Sequence, residues 1–255
     1  MKWIKIALLF LLTLSLKADD KIITIGATPV PYAQILEFSK PLFKARGYEL
    51  KIVEFSDYIT PNLALNEGEL DANLYQHKAF MEEFNTNKGT KLVASTPVVL
   101  PPMGVYSKKY TDLKQVPQNA IIAIPNDPTN EGRALELLEQ AGLITLSKKA
   151  NATPLDITQN PKNIQFKELK AAQLPRALGD VDFAVINSNY ALGANLMPKD
   201  ALFLESKDSP FVNHIVVHES QKNSEKTKII NEVIHSKEFK DHILKAYKDI
   251  LILAI

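Results

Sequence analysis

AIIAIPNDPTNEGRALELLEQA, residues 120–141, is a short apolar run, a polar turn and a helix-patterned segment, and it restarts a plan that the chain has already used. Residues 120–124 form the strand. Asp127 caps the helix, Pro128 suits its first position, Ala134, Leu135, Leu137 and Leu138 supply an apolar face, and Gly142 stops it. Upstream, KIITIGA (21–27) is short and β-branched, residues 32–46 carry helical spacing at Ile35, Leu36, Leu42 and Phe43, and YELKIVEF (48–55) is again strand-like. A short helix is predicted at 61–66, a strand at DANLY (71–75), and a helix at 77–85. Downstream the pattern gives strand 164–167, helix 174–178, strand 182–186, an extended segment 214–217 and two last helices, 224–234 and 237–248. Alternating strands and helices imply α/β architecture with parallel sheets, and two such runs imply two lobes. One continuous sheet is the alternative.

The chain is expected to cross into the second lobe near Tyr106 and return near Val212 on two hinge strands. The expected organisation is a signal peptide at 1–18, a discontinuous first lobe of 19–106 plus 213–255, and a second lobe of 107–212. The N-terminus supports the first of these: Lys2 and Lys5 precede an apolar run at 6–16, too short to span a bilayer, and Ala18 suits a cleavage site. An uncleaved anchor is the alternative. Without residues 1–18 the chain holds 27 basic and 29 acidic residues, a formal charge of −2, so no basic field for nucleic acid remains. There is no cysteine, which excludes disulfides, thiolate metal sites and a lipid on an N-terminal cysteine. Of His77, His214, His218, His235 and His242, only His214 and His218 have ligand spacing, and their segment reads as extended rather than helical, so no metal is expected.

Ligands of open α/β sheets sit beyond the carboxyl ends of strands. The loops there carry amides and aromatics: Tyr58 and Asn62, Tyr75 and His77, Asn126 and Asn130, Asn187 and Tyr190, and Asn213. Such amides both donate and accept without ionising, which suits a zwitterion, and aromatics line an apolar subsite. Arg133 is placed in the opening turn of its helix, against the macrodipole unless an anion sits between its guanidinium and the unpaired N–H groups. Extension into water, with Glu131 offsetting the dipole, is the alternative. No Gly-x-Ser-x-Gly elbow, phosphate loop or His-Glu-x-x-His is present, so binding rather than catalysis is expected, with no cofactor.

FSDYITPNLAL (55–65), DANLYQHKAF (71–80), IPNDPTNEGR (124–133), QLPRALGDVDFAVIN (173–187) and SPFVN (209–213), in this order, closely resemble the methionine-binding proteins of bacterial ABC importers, the MetQ/NlpA family. The resemblance runs from about residue 21 to 238. It implies a type II periplasmic binding protein that closes on methionine or a close analogue and presents it to a membrane permease and its ATPase, working as a monomer. It also implies that Arg133 pairs with the ligand carboxylate, that Asn187 and Asn213 hold its amino and carboxylate groups, and that Tyr58, Tyr75 and His77 surround the thioether, with Phe80 and Asn130 beside them. A Met-containing dipeptide or another apolar amino acid is the alternative ligand, and an enzyme on the same scaffold the remote one. Two departures stand out. The family's usual lipobox cysteine is missing, which implies an unlipidated periplasmic protein, and Tyr75 and Phe80 exchange the family's common phenylalanine and tyrosine. The tail ends in ILILAI (250–255), for which only packing on a lobe is expected.

Overall fold

The computed structural model describes residues 21–255, so the expected signal peptide lies outside the described residues. Along the chain, β1 (Ile22–Ala27), α1 (Gln34–Ala45), β2 (Glu49–Glu54), α2 (Thr60–Asn66), β3 (Ala72–His77), α3 (Lys78–Lys88) and β4 (Leu92–Leu100) make the first run. The second contains β5 (Gly104–Tyr106), β6 (Ile121–Pro125), α4 (Pro128–Gln140), β7 (Thr145–Leu146), β8 (Ile157–Gln159), β9 (Gln165–Leu169), α5 (Leu174–Ala177), β10 (Phe183–Ile186), α6 (Ser188–Gly193) and β11 (Phe203–Leu204). The chain then returns through β12 (Asn213–His218) to α7 (Glu225–His235), α8 (Lys237–Ala246) and β13 (Ile252–Leu253).

Two lobes result, each around its own sheet. The six-stranded sheet has the order β13-β4-β12-β3-β1-β2 and the five-stranded sheet β11-β5-β10-β6-β9, while β7 and β8 pair separately. Each sheet has its own core. Ile23, Ile25, Phe43, Leu74, Val98, Ile215, Ile230 and Phe239 pack in the first, and Val105, Ile122, Ile124, Leu135, Leu138, Phe183 and Val185 in the second. β3 and β10 are buried along their whole length, as strands covered on both faces must be.

The sheets are mixed rather than parallel throughout. β1, β2 and β3 run parallel, as do β6, β9 and β10, but β12 is antiparallel to β3 and to β4, and β5 is antiparallel to β10. The reason is connectivity: β4 carries the chain out of the first sheet and β12 brings it back, so the two must run in opposite senses. The first crossing also comes earlier than Tyr106. Gly104–Tyr106 is already a strand of the five-stranded sheet, so the chain passes between the sheets at 101–103, where Pro101 and Pro102 cannot continue a ladder. The apolar tail does more than pack: Ile252 and Leu253 pair with Leu100 and Val99, making β13 an edge strand beside the outgoing hinge strand.

Candidate functional site

The carboxyl ends of β3, β4, β6 and β10 and the start of β12 converge between the lobes. Asn213 at the start of β12 is paired with His77 at the end of β3 on one side and with Val99 of β4 on the other. These ends meet at a narrow cavity lined by Tyr58, Tyr75, His77, Phe80, Asn130, Arg133, Asn187 and Asn213, all eight of the residues that the family resemblance assigns to the ligand. Gln76, Pro101, Ser188 and Asn189 complete the lining. Two loop asparagines do not take part. Asn126 is exposed, and Asn62 is consumed in a buried amide network with Asn73 and Gln76 that ties α2 to β3.

α4 brings two of the lining residues. Asp127 caps it, accepting from the Asn130 N–H at 3.0 Å, and the chain leaves it through Gly142 at φ +74. Gly132 is required because a Cβ there would lie 2.9 Å from the Asn151 Cα, so the helix packs directly on that backbone. Arg133 is the sixth residue of the helix and sits in its second turn, where the macrodipole acts weakly; the opening-turn placement is corrected accordingly. Its anion is within the chain. Arg133 Nε donates to Glu205 Oε1 at 2.8 Å, Nη2 donates to Glu205 Oε2 and to the Pro101 carbonyl at 3.0 Å, and the Phe211 ring lies 4.6 Å from the guanidinium carbon. Both partners are nearly solvent-free, at 3% and 6% side-chain exposure, so the pair is a buried one rather than a surface contact. Nη1 alone makes no hydrogen bond among the described residues. Glu131 is not the offset either: it is buried, and burial, aided by the nearby charges of Glu168 and Asp127, pushes its carboxyl up to about 7.

The amides form a polarised chain. Asn130 Nδ2 donates to Asp127 Oδ1 at 2.8 Å, so its carbonyl oxygen is left to accept, which it does from Asn187 Nδ2 at 2.8 Å and from His77 Nε2 at 3.3 Å. His77 Nδ1 accepts from the Phe80 N–H at 3.1 Å, capping α3, so its proton is on Nε2. Burial, with the Arg133 charge second, drives the His77 pKa down to about 3, and the ring is neutral at ordinary pH. Asn213 Nδ2 donates to the Tyr32 hydroxyl at 2.6 Å and to the Tyr75 carbonyl at 2.8 Å. The consequence is that Asn187 Oδ1 and Asn213 Oδ1, both buried and both in the cavity lining, have no hydrogen-bond partner. Two unpartnered buried acceptors are costly unless a donor arrives between them.

The rest of the wall is aromatic. Tyr58 stands 5.6 Å from Tyr75 and 5.8 Å from Phe80 between ring centroids, and His77 stands 6.2 Å from Phe80. The Tyr75 hydroxyl donates to the Tyr58 carbonyl at 2.8 Å, so the exchanged hydroxyl is satisfied by protein. Tyr58 and Asn189, Tyr190 and the Ser56 carbonyl, and His77 and Asn130 are joined across the gap between the lobes, which are closed. Glu205, Asn189 and Tyr190's bridging role carry no local sequence signal, because each is defined by a partner far away in the chain. Among the described residues no cluster of histidine, cysteine or carboxylate groups could hold a metal, and no helix is long and apolar enough to cross a membrane.

The family model described as NlpA lipoprotein matches residues 23–255. The chain belongs to the NlpA lipoprotein family. Within it, the chain is 44% identical over 241 residues to the methionine-binding lipoprotein MetQ of Bacillus subtilis (strain 168), covering 91% of this chain and 87% of that protein. It is 40% identical over 230 residues to the probable D-methionine-binding lipoprotein MetQ of Pasteurella multocida (strain Pm70), covering 89% of this chain and 83% of that one. The solved structure of a nutrient binding protein from Burkholderia cenocepacia bound to methionine superimposes with a TM-score of 0.88 at 42% identity, covering 91% of this chain and 100% of that one.

Proposed function

We propose that this protein is the solute-binding component of an ABC importer, which captures methionine in the cavity between its two lobes and delivers it to the membrane permease and its ATPase. The observation that carries this reading is the cavity's polarity: a guanidinium with one free nitrogen, two buried amide oxygens lacking donors, and an aromatic wall. A methionine carboxylate on Arg133 Nη1, its ammonium between Asn187 and Asn213, and its thioether against Tyr58, Tyr75, His77 and Phe80 satisfy all three. The similarity to proteins named for methionine binding supports the same choice. His77 keeps its lone pair in the α3 cap and its ring neutral, so the site is built to hold rather than to transfer protons. With no cysteine in the sequence to acylate, the protein acts in the periplasm without a lipid.

A thermal-shift panel of methionine, leucine and methionine-containing dipeptides tests this reading. Methionine at about 100 times its dissociation constant stabilises by about 2.7 kcal/mol, a readable shift. A panel in which a dipeptide shifts the melt and methionine does not would replace the ligand. Asn213→Ala, which removes one of the two acceptors, is expected to weaken methionine binding by about 1–3 kcal/mol, measured by calorimetry. Unchanged affinity would take Asn213 out of the head-group site.

A further inference from the structure

We propose that Glu205 sets the net charge of the ligand that the cavity admits, by holding the Arg133 guanidinium side-on and cancelling its charge, so that only a molecule carrying both an anion and a cation is accepted. This inference rests on the reading of the cavity as an amino-acid site and deepens it.

Glu205 follows β11 on the segment that returns to the first lobe, and it is tied at four points. Its Oε1 accepts from Arg133 Nε at 2.8 Å and from Ser209 Oγ at 2.8 Å; its Oε2 accepts from Arg133 Nη2 and from the Met103 N–H at 3.0 Å. A carboxylate so fully bonded is ionised and immobile, and its side chain is only 6% exposed. Because it takes Nε and one Nη2 hydrogen, and the Pro101 carbonyl takes the other, the two-pronged faces of the guanidinium are used up. A ligand carboxylate is left with Nη1, and it meets a cation whose charge is already balanced at short range. Attraction to Arg133 alone is therefore too weak to draw a bare carboxylate out of water. Two further carboxyl groups stand near the pair: Asp127 is bonded to the main chain and side chain of Asn130 at the positive end of α4, and Glu136, which lies with Arg133 and Glu205 on the side away from the ligand cavity, has its pKa raised by burial and by the Glu139 and Glu205 charges. The ligand must bring its own compensating cation, which the free oxygens of Asn187 and Asn213 can receive.

The test compares three ligands of similar shape and different charge on the full protein by calorimetric titration: methionine, the des-amino acid that lacks its ammonium, and the decarboxylated amine that lacks its carboxylate. The wild type is expected to bind methionine far more tightly than either analogue. In Glu205→Gln, the ratio of dissociation constants of the acid and the amine is expected to move towards the acid by about tenfold or more, since one negative charge has left the site. A purely structural role would weaken all three ligands together and leave that ratio where it was, which would overturn the inference. Failure of the wild type to bind methionine would instead overturn the function proposed above. Should Glu205→Gln not melt cooperatively, the wild type carries the test by itself. A charge-balanced Arg133–Glu205 pair leaves the des-amino acid at least about tenfold weaker than methionine. A des-amino acid bound within about threefold of methionine would mean that the Arg133 charge is not cancelled, and would contradict the proposal.

Discussion

Arg133→Ala is expected to abolish measurable methionine binding and to lower the stability of the folded protein by about 3–5 kcal/mol, because it leaves the buried Glu205 carboxylate without its counter-ion. The two effects have different origins. Binding fails because the cavity lining loses the Arg133 guanidinium, the proposed partner of the ligand carboxylate; stability falls because Glu205 keeps only the Ser209 hydroxyl and the Met103 N–H. They can be separated. Replacing both partners with leucine removes the stranded charge and is expected to recover most of the stability, since apolar pairs of similar volume substitute well for buried ion pairs, without recovering binding. Urea unfolding read beside calorimetric titration checks both. An alanine variant that unfolds at the wild-type urea concentration would mean that the pair is not buried as described.

Acidification is expected to destabilise the protein through His77. Its pKa is about 3 in the folded state, against about 6.5 in an unfolded chain, so between those values the unfolded chain holds a proton that the folded one lacks. The stabilisation, on the order of 5 kcal/mol, is complete above pH 6.5 and is lost progressively as the pH falls towards 3. Methionine affinity of the folded protein should hold through this window and fall only as the pH approaches 3, where His77 takes up a proton, no longer accepts from the Phe80 N–H and places a second cation beside Arg133. Glu131 acts in the opposite sense: with a folded pKa of about 7, its contribution is present below about 4.5 and is lost as the pH rises through 7. Comparing the pH dependence of urea unfolding for wild type and His77→Gln isolates the histidine. Identical slopes from pH 6.5 down to 4 would show that His77 is not desolvated.

The local patterns were sufficient for much of the fold because each depends on neighbours in the chain. Asp127, Pro128 and Gly142 mark α4 at both ends, and the strand-to-helix alternation marks both lobes. The lining residues were legible for a related reason: they stand just after strands, where an α/β sheet places its ligand, and they fall in motifs that resemble a known family. What escaped is non-local. Glu205 lies 72 residues from Arg133, and nothing in LESKDS (204–209) says that its carboxylate turns inward to meet a guanidinium. Arg133 itself was noticed for a valid reason, an unexplained cation near a helix start, but its first anion proved to belong to the protein. Asn62 shows the reverse error of a loop amide that looks available yet is consumed by Asn73 and Gln76. The sense of β12 and the pairing of β13 follow from where the chain crosses between lobes, which composition does not reveal.

The most direct test of the central claim, that the cavity between the lobes is shaped and charged for one methionine zwitterion, is native mass spectrometry of the protein purified without denaturation and then exchanged into excess methionine. A single added mass equal to one methionine, absent from the Arg133→Ala variant, is the predicted result. A protein that keeps a different compound which methionine does not displace, or that takes up methionine equally well without Arg133, would contradict the account.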